Sequence, residues 1–292
     1  MGFLLVNNLK NRIFCWVFSG STVLIGHLLL LDYAPFVRMI VLVIALLMSM
    51  KAMVTHYLNI TVSFIRWFVF CFITVGTDVR VFQRKRNTPV RFDLIRNSVF
   101  NILIGGLLMT LAIALHNSNK NDIFWIKSFL ALFGVSFIFH FGILSLNTLL
   151  LQRLGFQDYP IFNQPFRSKS LREFWGKRWN TAFSQMTKIC VFMPLSRRMN
   201  SKVAYMSGFF FSGLLHEIAI SLSVQKGYGL PLIFFLINAI GIEMEKKYFL
   251  NKQPGLIWVI VFLILPFPLL FHAPFINGII WSPIDLLLVF VI

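Results

Sequence analysis

A histidine and a glutamate stand side by side in FFFSGLLHEIAI, the stretch Phe209–Ile220, inside a run otherwise fit for lipid. His216 and Glu217 are the only Asp, Glu, Lys, Arg or His residues between Val203 and Leu222. At roughly 1.5 Å per residue that run covers about 30 Å, the depth of a hydrocarbon core. A charge placed there costs about 2.5 to 3.5 kcal/mol, so an ionisable residue at that depth is expected to have a task. An apolar cavity disfavours the imidazolium, which leaves the ring neutral and able to take a proton from a hydroxyl. Gly208, Ser212 and His216 recur every four residues and share one helix face, with Gly213 beside them. Small residues next to a polar one leave room for a ligand. They also permit close helix packing, and the spacing fits either use. Glu217 points about 100° away and is expected to pair with a basic residue or orient a neighbour. A zinc site of the His-Glu type needs a second histidine at 220, where Ile220 stands.

A second polar cluster precedes the first. Ser170-Leu171-Arg172-Glu173 has the form of a capping box and predicts a helix start. Leu171, Phe174, Trp175, Ala182, Phe183 and Met186 follow at helical spacing, with Arg172, Lys177 and Arg178 interleaved. That pattern predicts an amphipathic helix at the membrane interface, its aromatics at headgroup depth. Pro160 and Pro165 mark turns before it, and Thr187–Leu195 is apolar but short and interrupted by Pro194.

The elements that must position these residues are membrane helices. The 292 residues are 58% hydrophobic with a mean hydropathy of +0.77, which excludes an ordinary soluble domain. The apolar runs are continuous rather than alternating, so helices are expected, not a barrel. Candidate spans are 13–31, 36–54, 60–76, 98–116, 128–150, 203–222, 229–245, 256–272 and 279–292. The second and third are short and interrupted by Arg38, Lys51 and Arg66, so one of them is a re-entrant candidate. The expectation is an all-α, polytopic protein of about seven to nine membrane helices, one domain over 1–292, with a cytoplasmic amphipathic-helix loop. The net charge of +17 comes from basic residues concentrated in 80–96, 152–202 and 246–252. Those loops fall on one side by parity, and the positive-inside rule makes that side cytoplasmic. Basic topology signals and anionic headgroups explain the charge, and no nucleic-acid module is visible. Cys15, Cys71 and Cys190 form no metal spacing and read as buried apolar residues.

The segment SLREFWGKRWN, ending in Asn180, followed by His216 in the context SGLLHE, resembles the membrane-bound O-acyltransferase family and its wax synthase-like branch. The resemblance is strongest over Pro160–Ser221. A weaker echo lies at Gly76-Thr77-Asp78-Val79-Arg80-Val81-Phe82, where the branch carries extra prolines and a methionine. The resemblance implies transfer of a fatty acyl group from acyl-CoA to a lipophilic alcohol, with no resident cofactor and no metal. It implies His216 as general base, with Asn180 assisting the carbonyl, positioning the donor or holding the loop. Trp175, Lys177, Arg178, Trp179 and Ser212 are the implied substrate-binding residues, and Arg167 and Lys169 are further candidates for donor phosphates. His140 is the second histidine of interest. Competing readings are another acceptor (sterol, diacylglycerol, glycan or secondary metabolite), a transporter using His216 and Glu217 as a proton relay, and a non-catalytic scaffold. The small size favours a bacterial inner membrane over an endoplasmic reticulum, and the oligomeric state stays open.

Overall fold

The structure, a computed structural model, describes residues 12–61, 63–82, 92–118, 123–153, 161–249 and 254–291. Arg84, Lys85, Arg86, Arg91 and Lys252, part of the basic loops expected on the cytoplasmic side, lie outside the described residues, as does Pro160. Every regular element among the described residues is helical. In chain order they are α1 (Arg12–Leu29), α2 (Pro35–Tyr57), α3 (Phe64–Ile73), α4 (Phe92–Asn117) and α5 (Phe124–Arg153). After a turn-rich segment follow α6 (Thr181–Thr187), α7 (Ser201–Val224), α8 (Leu230–Tyr248), α9 (Leu256–Leu270) and α10 (Ala273–Val289).

Local chemistry explains the ends. Pro35 opens α2, where its missing N–H costs nothing. Asn200 caps α7 by accepting the Lys202 N–H at 2.8 Å. Gln225, left-handed at φ 55°, stops it.

The described residues form two compact units. One contains those up to Cys71, Thr77–Val79 and those from Asn163 onward; the other contains Phe72–Gly76 and Arg80–Phe162. In the second unit α4 and α5 approach through glycines: a Cβ on Gly105 would lie 2.7 Å from the Gly134 carbonyl oxygen. Small residues permit the close contact that holds helices together where no hydrophobic effect operates. In the first unit α7 packs on α8, with Gly213 against Leu232.

By length and composition, four helices among the described residues can cross a membrane: α2, α4, α5 and α7. α9 and α10 meet at 70° and together form a broken span or re-entrant loop. The chain is a helical membrane protein. The segment expected at 60–76 shortens to the ten residues of α3, too few to cross. The buried Lys51 of α2 closes that short helix, its Nζ donating to the carbonyls of Phe70 and Cys71 at 2.8 and 2.9 Å. The orphan carbonyls of a helix end need such a partner.

Candidate active site

The capping box forms at its first bond. Ser170 Oγ accepts the Glu173 N–H at 3.0 Å, while the Glu173 carboxylate accepts the Lys169 N–H at 2.9 Å. A second carboxylate arrives from α8: Glu245 accepts the N–H groups of Leu171 and Arg172. The helix then fails to continue as the sequence pattern predicts. Phe174–Arg178 is a π-helical turn, closed by the Trp179 N–H on the Phe174 carbonyl at 2.8 Å. Trp179 is extended and Asn180 is left-handed at φ 40°. The expected single amphipathic helix is therefore two short pieces. Its apolar periodicity runs straight across a break set by the Asn180 backbone.

Asn180 restarts the chain as the N-cap of α6, its Oδ1 accepting the Phe183 N–H at 3.2 Å. That bond occupies the acceptor end of the amide and leaves the NH2 as a donor. Thr77 and Asp78, from the weaker motif echo, dock on the same helix. Thr77 Oγ1 donates to the Ala182 carbonyl at 2.9 Å, and Gln185 Nε2 donates to Asp78 at 3.1 Å.

His216 lies on α7 just before a second π-turn, Glu217–Ser221. Its Nδ1 is 2.7 Å from the Ser212 carbonyl oxygen. A carbonyl only accepts, so Nδ1 carries the ring hydrogen and Nε2 keeps its lone pair. Phe235 of α8 packs on the ring at 4.3 Å between centroids, and Phe183 meets it edge-on at 5.7 Å. A cavity of about 530 Å³ runs beside it. α6 and its cap contribute Asn180, Ser184 and Thr187 to its wall, and α7 contributes Gly208, Ser212 and His216. Such a volume suits an organic substrate rather than an ion.

Of the residues named from sequence, His216, Asn180, Trp175, Lys177, Trp179 and Ser212 line this one cavity. Arg178 does not line it. Its guanidinium pairs with Glu173 at 2.7 Å and donates to the carbonyls of Asn163 and Gln164. Arg167 and Lys169 stand outside the lining too, whereas Arg172 and Lys188 belong to it. The Ser212 hydroxyl is spent on the Gly208 carbonyl at 2.9 Å. His140 belongs to the other unit, with Nδ1 3.0 Å from Ser136 Oγ. Among the described residues no three His, Cys, Asp or Glu side chains gather as a metal site.

Two polar side chains support the site, and of these Asn238 had no sequence signal strong enough to single it out. Asn238 is fully buried and accepts the Trp175 indole N–H at 3.0 Å, while its NH2 reaches the Phe234 and Phe262 carbonyls. Glu217 accepts the Leu232 N–H at 3.0 Å, so of its two expected roles this bond fits orienting a neighbouring group rather than pairing with a basic side chain. Removing either leaves a buried polar group unmatched, at about 1–3 kcal/mol.

The Glu173–Arg178 pair yields a pH dependence. Burial opposes ionisation of Glu173, yet the Lys169 N–H, Arg178 and Lys177 together hold its carboxyl below the usual glutamate value. A lowered folded value means stability that is present above the unfolded value and lost as pH falls through the folded one. Glu173→Gln is expected to cost about 0.2–1 kcal/mol at neutral pH and less in acid. Thermal unfolding of the purified protein at both pH values measures it.

The imidazole of His216 and the amide of Asn180 line one organic-sized cavity, and the segment that carries both is similar to known acyltransferases. Residues 159–237 match the model described as Membrane bound O-acyl transferase family. The chain is also similar to long-chain-alcohol O-fatty-acyltransferases. It is 36% identical over 73 residues to the "Long-chain-alcohol O-fatty-acyltransferase" of Simmondsia chinensis, covering 22% of this chain and 21% of that protein. To "Probable long-chain-alcohol O-fatty-acyltransferase 9" of Arabidopsis thaliana it is 33% identical over 113 residues, 35% of this chain and 33% of the relative. The match spans about a third or less of the length of these curated relatives. The resemblance read from FWGKRWN and His216 holds for this segment. These relatives are plant proteins and give no support to a bacterial inner membrane.

Proposed function

We propose that the chain is an O-acyltransferase moving a fatty acyl group from acyl-CoA to the hydroxyl of a lipophilic alcohol. The observation that carries this reading is the fixed tautomer of His216, whose Nε2 lone pair is unspent beside a cavity. The alcohol donates its O–H to Nε2 as its oxygen attacks the thioester carbonyl. The Asn180 NH2 donates to the oxyanion of the tetrahedral intermediate. Collapse breaks the C–S bond, and the thiolate leaves with the proton held by the imidazolium. Trp175 and Trp179 form apolar wall, while Arg172, Lys177 and Lys188 supply cations for the donor's phosphates. The donor is a co-substrate and no resident cofactor is invoked.

The same reading includes seven to nine membrane helices in a single domain, with the basic loops and the segment carrying Asn180 on the cytoplasmic side. The test is incubation of the purified protein with labelled palmitoyl-CoA and a panel of alcohols, with products identified by mass spectrometry. A fatty ester dependent on both substrates is the expected result. No transfer to any hydroxyl would overturn the reading.

A further inference from the structure

Glu217 follows the proposed base directly, yet it is not part of the cavity wall. Its reach is toward the start of α8. There Leu230 donates to the Gly227 carbonyl, Ile233 donates to the Gly229 carbonyl, and Pro231 has no N–H. Leu232 is thus the first-turn donor that the local chain leaves over, and Glu217 Oε1 accepts it at 3.0 Å. The helix N-terminus also favours a carboxylate. Three residues further along α8 comes Phe235, whose ring packs on His216 at 4.3 Å. The contacts close a ring: His216 to its neighbour Glu217, to Leu232, along one turn to Phe235, and back to His216. Gly213 lets the two helices meet there, since a Cβ on it would lie 2.6 Å from Leu232 Cδ1.

Resting on the reading of His216 as general base, we infer that Glu217 is a positioning residue. By capping α8 it holds Phe235 against the imidazole and keeps Nε2 aimed along the cavity. Its role is that of a hydrogen-bond acceptor, not of a charge partner for the ring. Small displacements of a base are costly in rate, up to about 100-fold for 1 Å.

The test uses palmitoyl-CoA and hexadecanol with the full-length protein. Glu217→Ala is expected to lower kcat about 10- to 100-fold with both KM values near the parent's. Glu217→Gln keeps an acceptor oxygen and should recover most of the loss. Phe235→Ala should lower kcat in the same way, and the Glu217→Ala, Phe235→Ala double variant should be much less than additive, because both act through one lock. Parental kcat in Glu217→Ala, a Gln variant as poor as Ala, or additive losses would each overturn the inference. Should Glu217→Ala fail to purify as a single species, the Gln and Phe235→Ala variants decide it by the same criteria. An inactive parent sinks the acyltransferase reading instead.

Discussion

His216→Asn is expected to cut ester formation by about 10²- to 10⁴-fold while the protein still inserts and purifies. Asparagine places an amide N–H near the position of Nδ1, so the bond to the Ser212 carbonyl can persist. What it lacks is a basic nitrogen where Nε2 stood. General-base catalysis contributes about 10²- to 10⁴-fold, so the rate should fall to that extent. The removal of ring area beside Phe235 and Phe183 is a packing effect and would appear in thermal stability, not in rate alone. Ester production by mass spectrometry, alongside size-exclusion and melting profiles, separates the two. Retained turnover would refute the base assignment.

Asn180→Asp is the second substitution with a large expected effect, and it divides two functions of one side chain. Aspartate is as good an N-cap as asparagine, so the bond from the Phe183 N–H survives and α6 should start normally. The NH2 donor is lost. If that donor serves the oxyanion, kcat falls about 10²- to 10³-fold with little change in melting temperature. Asn180→Gly is the complement. It tolerates the φ of 40° but removes both cap and donor, so it should lose activity and a few tenths of a kcal/mol of stability. An Asp variant with parental kcat would make Asn180 purely a helix start.

The parts of the site legible in sequence are those where a polar residue violates its surroundings. His216 stands out because nothing else in Val203–Leu222 except Glu217 is charged or basic. Ser170 stands out because a hydroxyl three residues before a glutamate has a local geometric meaning. Asn180 emerges only from motif resemblance, since the periodicity from Leu171 to Met186 predicts no interruption. The π-turn and left-handed residue that break it are invisible to a 3.6-residue pattern. Long-range caps escape altogether: Glu245 and Leu171 are 74 positions apart. The basic residues show a third limit. Arg178 and Arg172 look alike in the motif, but one turns to Glu173 while the other faces the cavity. Among the helices, the long apolar run expected at 98–116 is plain, its helix extending to Phe92–Asn117, whereas the ten residues of α3 merge with their flanks into an apparent span.

The lysine that closes α3 bears on how the chain is made. Without α3 the Lys51 ammonium would lose the two carbonyls it donates to, and without Lys51 the end of α3 would lose their donor. Each is the remedy for the other's defect. The two segments are therefore expected to fold as a pair, each completing the other's polar groups.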